Sequence, residues 1–188
     1  MKEEIKNTAL IRSGIYKKDS GDGDVLYLQV KDFKENGEIR RDEIKTKIKN
    51  ESNIESHLLC DGDLLFASKG TSNFCAIYST EIGKAVASSS FFVIRVNSPI
   101  IDVKYLCWYL NTPKVLKQLR ANAVGSSIPS ITKQMLERFS ISIPSIQTQK
   151  AIVAFSELQD KEISLHLLIA KKKKELTNHI LNEIIKTK

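Results

Sequence analysis

Two polar loops carry the side chains best suited to binding nucleic acid. The first, Ser68–Asn73, has a lysine followed by hydroxyl and amide groups, and the second, Gly125–Ser130, leads to a further lysine. Lysine suits phosphate or guanine, and short hydroxyl and amide groups suit phosphate oxygens and base edges. The candidate binding residues are Lys69, Thr71, Ser72, Asn73, Ser126, Ser127 and Lys133. An ordinary solvated loop remains the alternative interpretation of each.

A charged segment supplies a second set of candidates and one catalytic alternative. Its cations are Arg40, Arg41, Lys45 and Lys47. Asp32 together with Glu43-Ile44-Lys45 loosely matches the carboxylate and carboxylate-x-lysine pattern with which nucleases hold Mg²⁺. In a chain with 27% charged residues such a spacing arises easily by chance, so a nuclease is the weakest of the alternatives.

Other catalytic and metal-binding patterns are missing from the sequence. It has no phosphate-binding Walker loop, no nucleophile elbow and no zinc-binding His-Glu-x-x-His helix. Cys60, Cys75 and Cys107 show no paired spacing, and the three histidines are scattered. The cysteines are interpreted as small buried apolar residues. We therefore expect a chain that is not an enzyme and has no cofactor or metal.

Composition and charge indicate a soluble, basic, globular protein. The 188 residues are 41% apolar and carry a net charge of +7, of which residues 61–146 contribute +4, from 9 basic and 5 acidic side chains. A surplus there fits a phosphate-binding surface, although solubility alone would also explain it. The first residues have no apolar signal region, and no apolar run reaches membrane-spanning length. We expect a cytoplasmic protein that does not contact membranes.

The elements that must position these residues indicate an α+β fold. Strands are predicted between residues 9 and 48 and between 58 and 96, with Asn36-Gly37 as a tight turn. Residues 41–56 are interpreted as an exposed loop or short helix. Apolar spacing predicts helices after Pro99, from Thr112-Pro113 and around Lys133, and then a final strand over 139–143. We assign residues 1–146 to this domain.

Residues 147–188 are predicted to form one long C-terminal helix. No glycine or proline interrupts residues 147–186, which as a helix would extend roughly 60 Å. Apolar residues recur there at gaps of three, four or seven, which is typical of a coiled coil. This apolar stripe consists of Ile152, Phe155, Leu158, Leu165, Ile169, Leu176, Ile180 and Ile184.

The order of several segments resembles the DNA specificity subunits of type I restriction–modification systems. Residues 58–70 resemble that family's L-x-x-G-D strand and loop. Later stretches in family order are Ser88–Arg95, Tyr105-Leu106 with Tyr109-Leu110, Gly125–Ser127 leading to Ile131, Leu136–Phe139 leading to Ile143-Pro144, and Gln149. Gln149 matches the last residue of a Pro-Pro-x-x-Glu-Gln pattern, although Ser145 and Thr148 replace the second proline and the glutamate. The tryptophan-containing opening of the family is absent.

The resemblance implies non-catalytic, sequence-specific binding of double-stranded DNA, with the seven loop residues as first candidates for contact. It also implies that long helices dock methyltransferase subunits and, in some systems, a restriction and translocase subunit. Typical members contain two recognition domains and two helices, whereas this chain resembles half of one. We expect its stripe to pair with a second copy as an antiparallel homodimer, or with a different half-subunit. A recognition subunit of another methylation-based defence system and a coiled-coil adaptor remain alternatives.

Overall fold

A computed structural model describes residues 1–18, 23–41, 44–49, 54–123 and 129–186. The chain divides into two compact units, Met1–Gln149 and Lys150–Lys188. The first combines three β-sheets with three helices, and most of the second is helical. The predicted α+β fold is confirmed. None of the helices in the described ranges combines the length and apolar character needed to cross a bilayer.

An antiparallel four-stranded sheet forms the centre of the first unit. Its strands, in the order β2-β8-β5-β6, are β2 Ala9–Ser13, β8 Phe91–Val96, β5 Leu64–Ala67 and β6 Cys75–Ile77. All four residues of β5 are buried, as its apolar run predicts for a strand covered on both faces. Three aromatic rings, those of Phe33, Phe74 and Phe91, pack against one another beside this sheet, with centroids 5.3–6.0 Å apart.

Two smaller sheets complete the strand structure. A three-stranded sheet has the order β4-β3-β7, with β3 Val25–Leu28, β4 Lys47–Ile48 and β7 Ala85–Ala87. A two-stranded sheet pairs β1 Lys2–Glu4 with β9 Ser140–Ser142, so that the start of the chain lies beside the last strand of the unit.

Three short α-helices lie between β8 and β9 in the chain. They are α1 Val103–Asn111, α2 Pro113–Ala121 and α3 Lys133–Glu137. Asp102 and Thr132 cap α1 and α3 by accepting hydrogen bonds from backbone N–H groups in the first turn. The helix predicted from Thr112-Pro113 is confirmed as α2, but the Thr112 hydroxyl donates to the Tyr109 carbonyl and does not cap this helix.

Of three expectations about residues 36–60, the structure confirms one and modifies two. The Asn36-Gly37 turn is confirmed, with Gly37 at φ 83° and a bridge between Phe33 and Ile39. The charged segment 41–56 is not only an exposed loop, because Thr46 and Ile48 are buried. Ile48 lies in β4 and pairs with Val25 of β3. Cys60 is exposed, contrary to prediction, because it immediately precedes the turn at Asp61-Gly62.

A buried carboxylate fixes the start of β5. Asp63 is 1% exposed, and its two oxygens accept hydrogen bonds from Arg95 Nε and Nη2 at 2.7 and 2.6 Å. Its Oδ2 also accepts from the backbone N–H of Cys60 and lies 3.8 Å from Arg12 Nη2. Arg12 in turn donates to the carbonyls of Ser56 and Leu58. One carboxylate thereby joins β2, β5, β8 and the segment before β5.

The surroundings shift the pKa values of both arginines in opposite directions. Burial lowers the pKa of Arg12, and repulsion from Arg95 lowers it further. The hydrogen bond to Asp63 raises the pKa of Arg95. Both guanidinium groups stay charged at neutral pH because their ordinary pKa lies far above it. The Asp63 carboxylate therefore compensates part of a doubly cationic cluster.

Replacing Asp63 with Asn should lower the free energy of unfolding by about 3 kcal/mol, because it removes the charge that compensates Arg95 and Arg12. Urea unfolding at fixed protein concentration measures this. Asp61→Asn is the matched control: Asp61 is exposed, and we expect a change below about 1 kcal/mol. Equal effects of the two variants would contradict a structural role for the Asp63 cluster.

The helix α4, Ile146–Lys186, begins with a serine cap and a buried glutamine. Ser145 Oγ accepts from the Thr148 backbone N–H at 3.2 Å and lies 2.9 Å from the Thr148 hydroxyl. These two residues depart from the family pattern, and here they form a helix N-cap. Gln149 is 0% exposed: its amide nitrogen donates to the carbonyls of Ile100 and Pro144, and its oxygen accepts from the Asp102 N–H.

Gln149→Ala should lower the free energy of unfolding by about 3 kcal/mol, because two buried carbonyls and one N–H lose their partner. Gln147 lies exposed in the same helical turn, and Gln147→Ala should change stability by less than about 0.5 kcal/mol. The comparison uses thermal and urea unfolding of both variants. A Gln149 variant as stable as the Gln147 variant would refute the assignment.

Candidate nucleic-acid interface

The loop between β5 and β6, residues 68–74, presents three polar side chains to solvent. Its base is closed by a hydrogen bond from the Ala67 N–H to the Phe74 carbonyl, and Gly70 adopts φ 85°, which favours glycine. Phe74 anchors one end of the loop in the aromatic cluster. Lys69, Thr71 and Ser72 are exposed. These three side chains are therefore accessible to a ligand.

Asn73, the fourth candidate in this loop, is buried and hydrogen-bonded within the protein. It is 4% exposed; its Nδ2 donates to the Ala67 carbonyl at 3.0 Å, and its Oδ1 accepts from Arg120 Nε at 2.9 Å. An amide whose donor and acceptor are both engaged inside the protein is not available to a base edge. We therefore assign Asn73 to shaping the loop and do not retain it as a DNA contact.

The described end of the second predicted loop, Pro129-Ser130, lies directly beside the first loop. Lys69 and Ser130 form an antiparallel bridge, the Gly70 N–H donates to the Pro129 carbonyl, and the Ile131 N–H donates to the Ser68 carbonyl. Two segments some sixty residues apart in sequence thus meet backbone to backbone. Ser126 and Ser127, the two candidates within the second loop, lie outside the described residues.

Lys133 opens α3, three residues after the bridge. It is exposed and lies 3.4 Å from Glu137 across one turn of the helix. A solvent-exposed pair of this kind contributes little to stability, so the lysine can exchange its carboxylate for a phosphate at small cost.

Arg120 is a residue of this surface that the sequence analysis missed. Besides its bond to the Asn73 side chain, its Nη2 donates to the Asn73 backbone carbonyl at 3.4 Å. Its partner is a neutral amide, so its positive charge is not compensated there. Lys114, Lys117 and Arg120 follow at intervals of three along α2, a basic row that could have been read from the sequence.

A groove of about 560 Å³ lies on the same helix. Its lining comprises Asn111, Pro113, Leu116, Lys117, Arg120 and Ala121. Asn111 holds the adjoining edge strand, because its side-chain amide accepts from the Cys75 N–H and donates to the Cys75 carbonyl. The exposed edge of the four-stranded sheet is therefore covered at this point by a side chain.

The second set of candidate cations lies on a different segment of the chain, and one of its members lies in the three-stranded sheet. Arg40, Arg41, Lys45 and Lys47 are all exposed, Arg41 pairs with Glu81 at 3.2 Å, and Lys47 lies in β4 of the three-stranded sheet. The β5–β6 loop, by contrast, joins two strands of the four-stranded sheet. The predicted cations therefore fall into two groups.

The positions of the described residues do not support the nuclease alternative. Asp32 is buried, and its carboxylate accepts the backbone N–H of Gln29 in a capping interaction. Glu43 lies outside the described residues. Among the residues that the structure describes, no group of three or more His, Cys, Asp and Glu side chains could hold a metal ion.

The second unit exposes apolar side chains on two faces of α4. In the predicted stripe Ile152 is half-buried, and the other seven side chains are 48–70% exposed. Further exposed apolar residues, which the sequence analysis did not single out, include Ile163, Leu167, Leu181 and Ile185. At about 100° per residue these four lie roughly opposite the stripe.

Comparisons with known proteins agree with this architecture. The chain matches the type I restriction modification DNA specificity domain over residues 4–184. The chain belongs to this family. One similar solved structure comes from work on the structural basis of complex assembly and conformational transition of the type I R-M system. The match covers 95% of this chain and 43% of the solved chain, with 18% sequence identity and a TM-score of 0.68.

Two crystal structures give similar matches and support the same fold. A type I restriction-modification S subunit from M. genitalium is 15% identical over 87% of this chain and 40% of its own, with a TM-score of 0.59. The HsdS subunit from Thermoanaerobacter tengcongensis is 15% identical over 87% and 38%, with a TM-score of 0.63. This specificity domain thus spans about two fifths of the length of these solved chains.

The bond between Arg120 and Asn73 can be tested without changing net charge. Arg120→Lys keeps the positive charge but loses the two-pronged contact, so the β5–β6 loop should open more easily by about 1 kcal/mol. Hydrogen exchange of amides in residues 68–75 should then be about fivefold faster. Arg138→Lys, a change at another exposed arginine, is the control. Unchanged exchange in the Arg120 variant would show that the loop does not depend on it.

Proposed function

We propose that this chain is the DNA-reading component of a type I restriction–modification system and leaves methylation and cleavage to separate subunits. The observation that carries the proposal is the backbone pairing of the β5–β6 loop with the segment around Ser130 in a member of the specificity family. That pairing presents Lys69, Thr71 and Ser72 on one surface with Lys133 nearby.

The chemistry of this surface supports contact with a duplex. Lys69 and Lys133 can bind phosphates, and the charge of Arg120 adds to the same positive potential. Thr71 and Ser72 donate and accept hydrogen bonds and are short enough to discriminate between base edges in a groove. The rigid loop base, closed by Asn73 and Phe74, reduces the entropy lost when the exposed side chains become ordered on DNA.

The Lys69→Ala/Lys133→Ala variant should bind a labelled random-sequence duplex more weakly than the unchanged protein. The plot of log affinity against log salt concentration has a negative slope. Its magnitude should decrease by about two, one for each lost phosphate contact. Fluorescence anisotropy at several salt concentrations measures both quantities. Lys84→Ala, at an exposed lysine just before β7, is the control and should retain the original slope.

The same assay can fail in an informative way. If the double variant and the Lys84 control bind equally, these lysines are not part of the interface, and Arg40, Arg41, Lys45 and Lys47 become the next candidates. If the unchanged protein does not bind the duplex at all, the recognition proposal is wrong. An adaptor function for the helix would then be favoured, because its apolar stripe remains exposed.

The partners proposed for the second unit follow from its exposed apolar faces. A surface of this extent is protected from aggregation when another protein covers it. We assign the stripe to pairing with a second copy of this chain, or with another half-subunit, and the opposite face to a methyltransferase subunit. A restriction and translocase subunit would join through the assembled complex. Co-purification with products of neighbouring genes would identify such subunits.

A further inference from the structure

The centre of the apolar stripe on α4 forms a regular heptad pattern once two charged residues are included. Positions 158, 162, 165, 169, 172 and 176 alternate in gaps of four and three, the spacing of the two core positions of a coiled coil. Four of these positions are leucine or isoleucine. Glu162 and Lys172 occupy the remaining two, and both are exposed.

These six positions are symmetric about Leu167. They form three pairs, whose members lie two, five and nine residues before and after Leu167. From the centre outwards the pairs are Leu165 with Ile169, Glu162 with Lys172, and Leu158 with Leu176. Each pair joins a core position of one type to a core position of the other type, which is the pairing that antiparallel coiled coils use.

We propose that the antiparallel pair of two copies expected above adopts the register in which Glu162 of each copy is bonded to Lys172 of its partner through α4, so that the two Leu167 residues lie at the same level on the outer sides of the pair. In this register the central layers are leucine against isoleucine. The two charged layers flank them symmetrically, followed by leucine against leucine. The inference rests on the homodimer proposed above and specifies its register.

Charge excludes the simplest competing arrangement. A parallel, in-register pair would place Glu162 beside Glu162 and Lys172 beside Lys172, two layers of like charge within the apolar interface. An antiparallel pair shifted by one heptad in either direction would place Lys172 against an apolar residue, Phe155 or Ile169. A polar layer in a coiled coil commonly selects one register at some cost in stability.

Neither charged side chain is committed elsewhere in a way that would prevent this pairing. Lys172 lies 2.7 Å from Glu175 on the same helix, but both side chains are about half or more exposed, so the contact is weak and exchangeable. Glu162 has no ion-pair partner among the residues that the structure describes.

Charge reversal in the full-length chain tests the register by sedimentation equilibrium without DNA. Glu162→Lys and Lys172→Glu should each raise the Kd of self-association by at least about tenfold, because each creates two like-charged layers. An equimolar mixture of the two variants should associate like the unchanged protein. The double variant Glu162→Lys/Lys172→Glu should also recover, since its charges are complementary again.

Asp160→Lys and Lys171→Glu are the matched controls, because they reverse charge on the opposite side of the same helix and should leave the Kd unchanged. A strictly monomeric protein at micromolar concentration would overturn both the homodimer and its register. A dimer that ignores the single reversals, or that neither mixing nor the double variant rescues, would overturn the register alone. DNA binding by the β5–β6 loop is measured separately and distinguishes these outcomes from failure of the recognition proposal.

Discussion

The buried carboxylate of Asp63 is the constraint on which the geometry of the first unit depends. A carboxylate that is 1% exposed must be compensated where it is, and here the compensation comes from two strands and one backbone amide. Because Arg95 lies in β8 and Arg12 in β2, the ion cluster fixes the order of the three strands at one end. β5 then runs from that fixed end directly to the loop that presents Lys69.

The far end of β5 is fixed by a neutral contact of comparable importance. Asn73 bonds both Ala67 and Arg120, and Phe74 packs into the aromatic cluster. The loop is therefore held from inside by buried residues, while the side chains of Lys69, Thr71 and Ser72 are exposed. A recognition loop benefits from this division, because the exposed side chains can be exchanged to alter base preference without disturbing the backbone that carries them.

The sequence predicted best those features that depend on local patterns. The β5 run, the helices after Pro99, the turn at Gly37 and the long helix all follow from apolar spacing and turn chemistry within a short window. The pairing of β1 with β9 joins residues about 140 positions apart, and strands of three residues give no usable periodicity. Such pairing is decided by tertiary packing.

The candidate site shows the same limit at the level of single residues. The composition of the β5–β6 loop indicated a binding surface, but Asn73 and its exposed neighbours look alike in sequence, and burial alone separates them. Arg120 was missed because its role comes from contact with a loop 47 residues earlier in the chain. The family resemblance helped where it could be explained physically: Asp63 and Gln149 recur in its patterns, and both prove to be buried hydrogen-bonding residues.

Base preference and the spacing between two recognised half-sites would depend on different parts of this chain. Under the proposals made here, base preference would depend on the β5–β6 loop, and the spacing would depend on how two long helices align. A slip of one heptad displaces one helix along the other by about 10 Å, comparable to about three base pairs at 3.4 Å each. Purely apolar layers distinguish such registers weakly, since leucine and isoleucine pack against one another in several alignments. A complementary charged layer penalises every alignment except its own, so the two polar positions in the stripe would contribute specificity more than stability.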